Sequence, residues 1–199
     1  MVMRLTLASK VTLIRMFLVP FVAIGILYHR YGITLWLFLI SGLTDMIDGL
    51  IARKLGQKTR LGALLDPMAD KLLLSTSFLL LTLPSIKLHV SIPIWLAVLV
   101  FGRDIIIVVS SVAIALTTGF TKFDPSIYGK ASTAVQICTV IAVMIVNYPQ
   151  LDEVYVLWLF YLTFGITLFS GLHYIYIFTK RYNLENEQEQ QNHDADHGK

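Results

Sequence analysis

Four of the thirteen acidic residues in this chain, Asp45, Asp48, Asp66 and Asp70, sit inside or at the edge of strongly apolar stretches. A carboxylate in such a setting is expensive unless something compensates it, so each marks a candidate functional site. Asp45 and Asp48 are three residues apart and Asp66 and Asp70 four apart, spacings that put each pair on one face of a helix. The short basic loop between the two predicted helices makes them antiparallel neighbours whose acidic faces can meet. Carboxylates gathered in this way, without a matching number of buried cations, repel one another. A divalent metal is the natural remedy, and oxygen-only ligands favour Mg2+ or Mn2+ over zinc. From the carboxylates alone, an ion-pathway cluster in a cation- or proton-coupled transporter is an equally good reading.

The residues around the acids sharpen the picture. Gly49 follows Asp48 directly, and Gly62 lies four residues before Asp66. Glycine within a helix costs about 1 kcal/mol relative to alanine, and its gain is close approach of the backbone to a ligand. Ala52, one turn after Asp48, keeps the same face open. Arg53 ends the helix where a guanidinium fork can meet phosphate.

The elements that position these residues belong in a membrane. The chain has 199 residues, 56% of them hydrophobic, with a mean hydropathy of +0.70. A soluble domain of this length needs more polar surface. The charges are unevenly placed and leave several apolar stretches able to cross a hydrocarbon core of about 30 Å. The alternation of a membrane barrel is absent. The fold class is therefore all-α: a polytopic membrane protein of six transmembrane helices, near 11–29, 33–54, 63–84, 92–118, 129–148 and 153–180. Turns are expected at Tyr31-Gly32, Pro84-Ser85 and Tyr148-Pro149. Met1 to Lys10 reads equally as an interfacial helix or a flexible terminus. The run Val11 to Leu27 lacks a small-residue cleavage site after it and is expected to be retained as a helix. Two regions follow: a membrane domain over residues 1–182, and a polar tail over 183–199 whose composition predicts disorder.

If six helices alternate, nearly all helix-flanking cations fall on one side, including Arg4, Lys10, Arg53, Lys54, Lys58, Arg60, Lys122, Lys130 and Lys180. Arg30 and Lys87 fall on the other. The positive-inside rule then makes both termini and the 53–61 loop cytoplasmic. The formal net charge of +3 forms no soluble basic face, so nucleic acid is not the expected partner; topology and anionic headgroups are. Cys138 is the single cysteine, which excludes an internal disulfide and a thiolate metal site, and suits a small packing residue.

The pattern Asp45-x2-Asp48-Gly49-x2-Ala52-Arg53-x8-Gly62-x3-Asp66-x3-Asp70 resembles the full signature of the CDP-alcohol phosphatidyltransferase family. With it, the transporter reading recedes. Val11-Thr12-Leu13-Ile14-Arg15, Gly102-Arg103-Asp104 and Gly129-Lys130 also look like family segments, so most of residues 9–136 takes part in the resemblance. One departure is Ala8-Ser9, where relatives often carry Pro-Asn, which weakens any nucleotide contact from position 9. The resemblance implies an integral membrane enzyme that binds CDP-diacylglycerol with its pyrophosphate at a two-metal site holding Mg2+ or Mn2+. By analogy Asp45, Asp48, Asp66 and Asp70 hold the metals, and Asp70 is also the general base. Gly49, Ala52, Arg53 and Gly62 would line the nucleotide pocket. The acceptor hydroxyl would attack the lipid-side phosphorus in line, with CMP leaving.

Within the family the pattern is most similar to bacterial phosphatidylglycerophosphate synthases, which implies glycerol 3-phosphate as acceptor and a bacterial inner membrane. Arg103 and Lys130 suit an acceptor phosphate. Two features pull elsewhere: Gly102-Arg103-Asp104 stands where those synthases usually carry Gly-Arg-Glu, and Lys130 to Gln136 looks like the related cardiolipin synthases, which use phosphatidylglycerol. Plainer roles stand beside each sharp one. Arg103 can pair structurally with Asp104 or Asp66, Lys130 can serve topology, and Arg15, which with Thr12 can approach the nucleotide, can equally anchor the first helix at the interface. His173 reads as a packing residue, and Trp95, Tyr148, Tyr155 and Trp158 as an interfacial belt. The last helices are apolar enough for a homodimer.

Overall fold

The computed structural model describes the backbone of residues 7–55, 60–118, 127–148 and 151–197, and the side chains of 13–44, 71–109, 127–148, 151–177 and 179. The regular structure among the described residues is all helical, without a strand: α1 (Leu7–Leu27), α2 (Tyr31–Leu55), α3 (Arg60–Thr82), a 3-10 turn (Pro84–Ile86), α4 (Ile94–Thr118), α5 (Ile127–Asn147) and α6 (Val154–His197). Two of them, Ile127–Asn147 and the Val154–Ile177 part of α6, are long and apolar enough to cross a membrane. Leu13–Leu27, Tyr31–Thr44 and Lys71–Thr82 are shorter apolar stretches. The exterior is that of a membrane protein: Ile127 is 82% and Trp158 80% exposed, and Phe17, Trp36, Ile105 and Tyr176 are exposed with them. Trp95, Tyr148, Tyr155 and Trp158 all lie on the outer surface, as a belt requires.

The helices group into two compact units. The first comprises Met1–Ala97 and Gln136–Phe160, the second Val98–Val135 and Tyr161–Lys199. In the first unit α1 packs against both α2 and α3, and Val22, Ile26, Phe78, Leu81, Met144 and Val156 fill an apolar core. Helices α1 and α2 approach closely because Gly25 has no side chain: a Cβ there would fall on the Thr34 hydroxyl. That hydroxyl donates back to the Arg30 carbonyl at 2.9 Å. Ser77 and Thr82 do the same to Leu73 and Phe78 within α3, at 2.9 and 2.8 Å.

The first turn is built by His29, earlier than Tyr31-Gly32. With φ at 57°, His29 occupies the left-handed position that closes α1: its N–H donates to Ile26 O at 3.0 Å, and that of Arg30 to Gly25 O at 2.8 Å. These two bonds satisfy carbonyls that the helix end leaves over. The His29 ring then meets the Tyr31 hydroxyl at 2.7 Å, and Tyr31 and Gly32 begin α2.

The α3–α4 connection is held by one amide. Asn147, the last residue of α5, accepts from Val90 N at 3.1 Å and donates to Val90 O at 2.8 Å. It also donates to Val143 O at 2.8 Å. Ile92 N–H donates to Leu81 O at 2.9 Å, bringing the connection back along α3.

Three sequence expectations are corrected. Residues 7–10 belong to α1 rather than to a separate segment; Met1 to Thr6 lie outside the described residues. Residues 183–197, expected to be disordered, continue α6 as helix. Glu, Gln and Leu are good helix formers, and extending an existing helix needs no new nucleus. Cys138 is exposed rather than packed inside, because in lipid the outer face accepts a thiol as readily as the interior does.

Candidate active site

The helices carry the signature as the spacing requires. Asp45, Asp48, Gly49, Ala52 and Arg53 lie on α2, and Gly62, Asp66 and Asp70 on α3. The backbone is helical through each aspartate, so the register places Asp45 with Asp48, and Asp66 with Asp70, on one helix face each. The side chains of all eight lie outside the described residues. Among the described side chains no group of three His, Cys, Asp or Glu gathers to hold a metal. As a donor set, four aspartates on two helices that share α1 as a packing partner fit hard divalent cations: carboxylate oxygens suit Mg2+ or Mn2+.

Arg15, on α1 of the same unit, is 3% exposed. An interfacial anchor must reach the headgroups, so burial removes that role and leaves a guanidinium inside the unit that carries the aspartates.

The second unit has a different interior. Its buried side chains among the described residues are Val100, Arg103, Ser132, Thr163, Thr167 and Ser170. All but one are polar. Thr163, Thr167 and Ser170 recur at helical spacing along α6, so one face of an otherwise apolar helix is hydroxylated. Ser132 of α5 meets Thr167 across that face at 3.1 Å.

Arg103 is the charged member, 6% exposed. Its Nη1 donates to Asp104 Oδ1 at 3.0 Å and its Nη2 to Ser170 Oγ at 2.9 Å. The structural pair with Asp104 is therefore present; Asp66 lies outside the described side chains. The pair does not exhaust the fork, since Nε is buried with no acceptor. A buried N–H left unmet costs about 1–3 kcal/mol, and such an atom suits a ligand. Lys130, in the first turn of α5, is exposed. His173 packs as expected, its ring 4.6 Å from Tyr128 and stacked at 6.3 Å on Phe169.

Ser170 was not singled out by the sequence reading. The signal was there in the Thr163, Thr167, Ser170 periodicity, masked because serine and threonine often bond back into their own helix and need no partner.

Comparison with known proteins agrees with the signature. A model of the CDP-alcohol phosphatidyltransferase family matches residues 5–169. Human cardiolipin synthase (CMP-forming) is 28% identical over 85% of this chain, which spans 61% of that protein. CDP-diacylglycerol–glycerol-3-phosphate 3-phosphatidyltransferase of Haemophilus influenzae is 29% identical over 88% of this chain and 94% of its own. The Aquifex aeolicus protein of the same name is 35% identical over 70% of this chain and 75% of its own. With a family match over most of its length and the complete aspartate signature on α2 and α3, the chain belongs to the CDP-alcohol phosphatidyltransferase family.

Proposed function

We propose that this protein transfers the phosphatidyl group of CDP-diacylglycerol to glycerol 3-phosphate, giving phosphatidylglycerophosphate and CMP. The reaction class rests on family membership and the intact signature. The acceptor rests on one observation: Arg103 is buried with an Nε–H that has no acceptor among the described residues, which suits a phosphorylated alcohol. A second reading, cardiolipin synthesis with phosphatidylglycerol as acceptor, is supported by the likeness to human cardiolipin synthase.

In this reading Asp45, Asp48 and Asp66, with Asp70 as a weakly bound fourth ligand, would hold two Mg2+ or Mn2+ ions, which would stabilise negative charge on the departing CMP. Gly49, Ala52, Arg53 and Gly62 line the nucleotide pocket, with Arg53 reaching phosphate. Arg103 orients the acceptor by its phosphate, and Lys130 adds positive charge at the mouth. Asp70 accepts the proton of the acceptor hydroxyl. The freed oxygen bonds to the lipid-side phosphorus, the phosphoanhydride bond breaks, and CMP leaves with that electron pair. In the same reading all six helices span the bilayer, and the basic composition of the 53–61 loop supports a site on the cytoplasmic side of a bacterial inner membrane. The apolar outer face of the last helices accommodates a homodimer.

The test is incubation of the purified protein with CDP-diacylglycerol and a panel of acceptors, reading CMP and lipid products. Glycerol 3-phosphate should give the fastest release. Release only with phosphatidylglycerol would install the second reading. Activity should vanish after EDTA and return with Mg2+ or Mn2+; undiminished turnover without metal would remove the aspartate site as drawn.

A further inference from the structure

We infer that Ser170 is a positioning residue for the acceptor phosphate, acting through Arg103. The inference rests on the reading of Arg103 as the ligand for that phosphate. Arg103 and Asp104 stand on α4, whereas Ser170 stands on α6, 67 residues away in sequence. Ser170 is 1% exposed, so its bond to Nη2 at 2.9 Å is made away from bulk solvent. Asp104 takes Nη1 at 3.0 Å. One partner on each Nη fixes the plane of the guanidinium and leaves Nε, buried and without an acceptor among the described residues, as the donor available to a ligand.

The stem is supported from the same helix. A Cβ added at Gly171 would come 3.5 Å from Arg103 Cγ and 3.9 Å from its Cβ, so the α6 backbone lies along the Arg103 side chain. Helix α6 thus sets both the course of the stem and the orientation of the head.

The neutrality of Ser170 is part of the argument. Asp104 already offsets much of the Arg103 charge, and a second carboxylate would cancel its attraction for an anion. A hydroxyl accepts the hydrogen bond and fixes the fork without adding negative charge. A purely structural serine would affect folding and both substrates alike; a positioning serine affects the phosphorylated acceptor alone.

The experiment measures CMP release by the full chain in detergent, varying glycerol 3-phosphate and CDP-diacylglycerol separately. Ser170→Ala should raise the KM for glycerol 3-phosphate about 5- to 20-fold, near the low end of what one hydrogen bond to a charged group is worth, because the Asp104 bond still holds the fork. The KM for CDP-diacylglycerol and kcat should stay within about twofold. Ser170→Thr, which keeps the hydroxyl, should restore the acceptor KM, and near-isosteric Ser170→Val should not. Arg103→Ala should raise the acceptor KM further, and adding Ser170→Ala to it should change nothing more. If Ser170→Ala does not fold, the Thr and Val variants carry the same comparison. If Arg103→Ala raises the acceptor KM but loss of the Ser170 hydroxyl does not, or if it moves both KM values equally, Ser170 is structural and the Arg103 reading stands. If Arg103→Ala leaves the acceptor KM unchanged, or the unaltered protein does not use glycerol 3-phosphate, the reading beneath fails and this inference with it.

Discussion

Replacing Asn147 should destabilise the protein through two backbone groups that are not its own. Its side-chain amide answers both the N–H and the C=O of Val90, at 3.1 and 2.8 Å, and Asn147 and Val90 are both buried. In Asn147→Ala both Val90 groups lose their partner, and each unmet buried group costs about 1–3 kcal/mol. Some water can reach the end of α5, and the His89 contact with Leu151 O at 3.2 Å still tethers the connection. The expected loss is therefore in the lower part of the summed range, about 2–4 kcal/mol. Asn147→Asp is the informative companion. It is nearly isosteric, so a packing role predicts little change. An ionised carboxylate, however, can only accept, and would set an oxygen against the carbonyls of Val90 and Val143. It should lose as much stability as the alanine variant. Reversible unfolding in mixed micelles gives the free energies, and amide exchange at Val90 should accelerate in both variants. An Asn147→Asp protein as stable as the parent, with Val90 still protected, would refute the hydrogen-bond account.

Two further outcomes follow from the helices. Asp48→Asn should weaken metal affinity and rate together, with partial rescue at high Mn2+, whereas Asp70→Asn should keep metal and CDP-diacylglycerol binding while kcat falls about 10²–10⁴-fold; calorimetry and CMP release separate the two, and normal turnover by Asp70→Asn would exclude it as the base. Gly25→Ala should lower the melting temperature because its methyl would meet the Thr34 hydroxyl, whereas Gly42→Ala, with nothing within 4 Å, should be neutral or gain up to about 1 kcal/mol of helix propensity; equal behaviour of the two would show that α1 and α2 can slide apart freely.

The helices were legible because long apolar runs broken by turn residues can hardly be anything else in lipid. Their ends were less so. His29 closes α1 in a conformation usually left to glycine, and the nearby Gly32 drew the predicted turn toward itself. The placement of the aspartates in pairs on α2 and α3 was legible, since their spacing of three and four residues is that of one helix face. Burial was the obscure part. Arg15, left open between two roles by the sequence, is buried, and Cys138, expected to pack inside, is exposed; a membrane helix is apolar on its inner and outer faces alike, so the usual contrast between them disappears. Ser170 was hidden by the same effect: one hydroxyl in an apolar helix carries no periodic signal until its neighbours at 163 and 167 are read with it.

Among the described residues two kinds of satisfied hydroxyl occur, and the difference bears on how the chain is assembled. Thr34, Ser77, Thr82, Thr133 and Thr179 each bond a carbonyl four residues earlier in sequence. For Ser77, Thr82, Thr133 and Thr179 that carbonyl lies in their own helix, so they can be carried into hydrocarbon already satisfied. Ser132 with Thr167, and Arg103 with Ser170, are satisfied by a different helix. Those bonds exist only after α4, α5 and α6 have found one another. The Ser170 bond to Arg103 therefore forms only once α4 and α6 have met, whereas Asp104, on α4 itself, stands beside Arg103 from the start. If Arg103 takes the acceptor phosphate as proposed, a newly inserted chain would hold its helices in the bilayer before that guanidinium was oriented for its ligand.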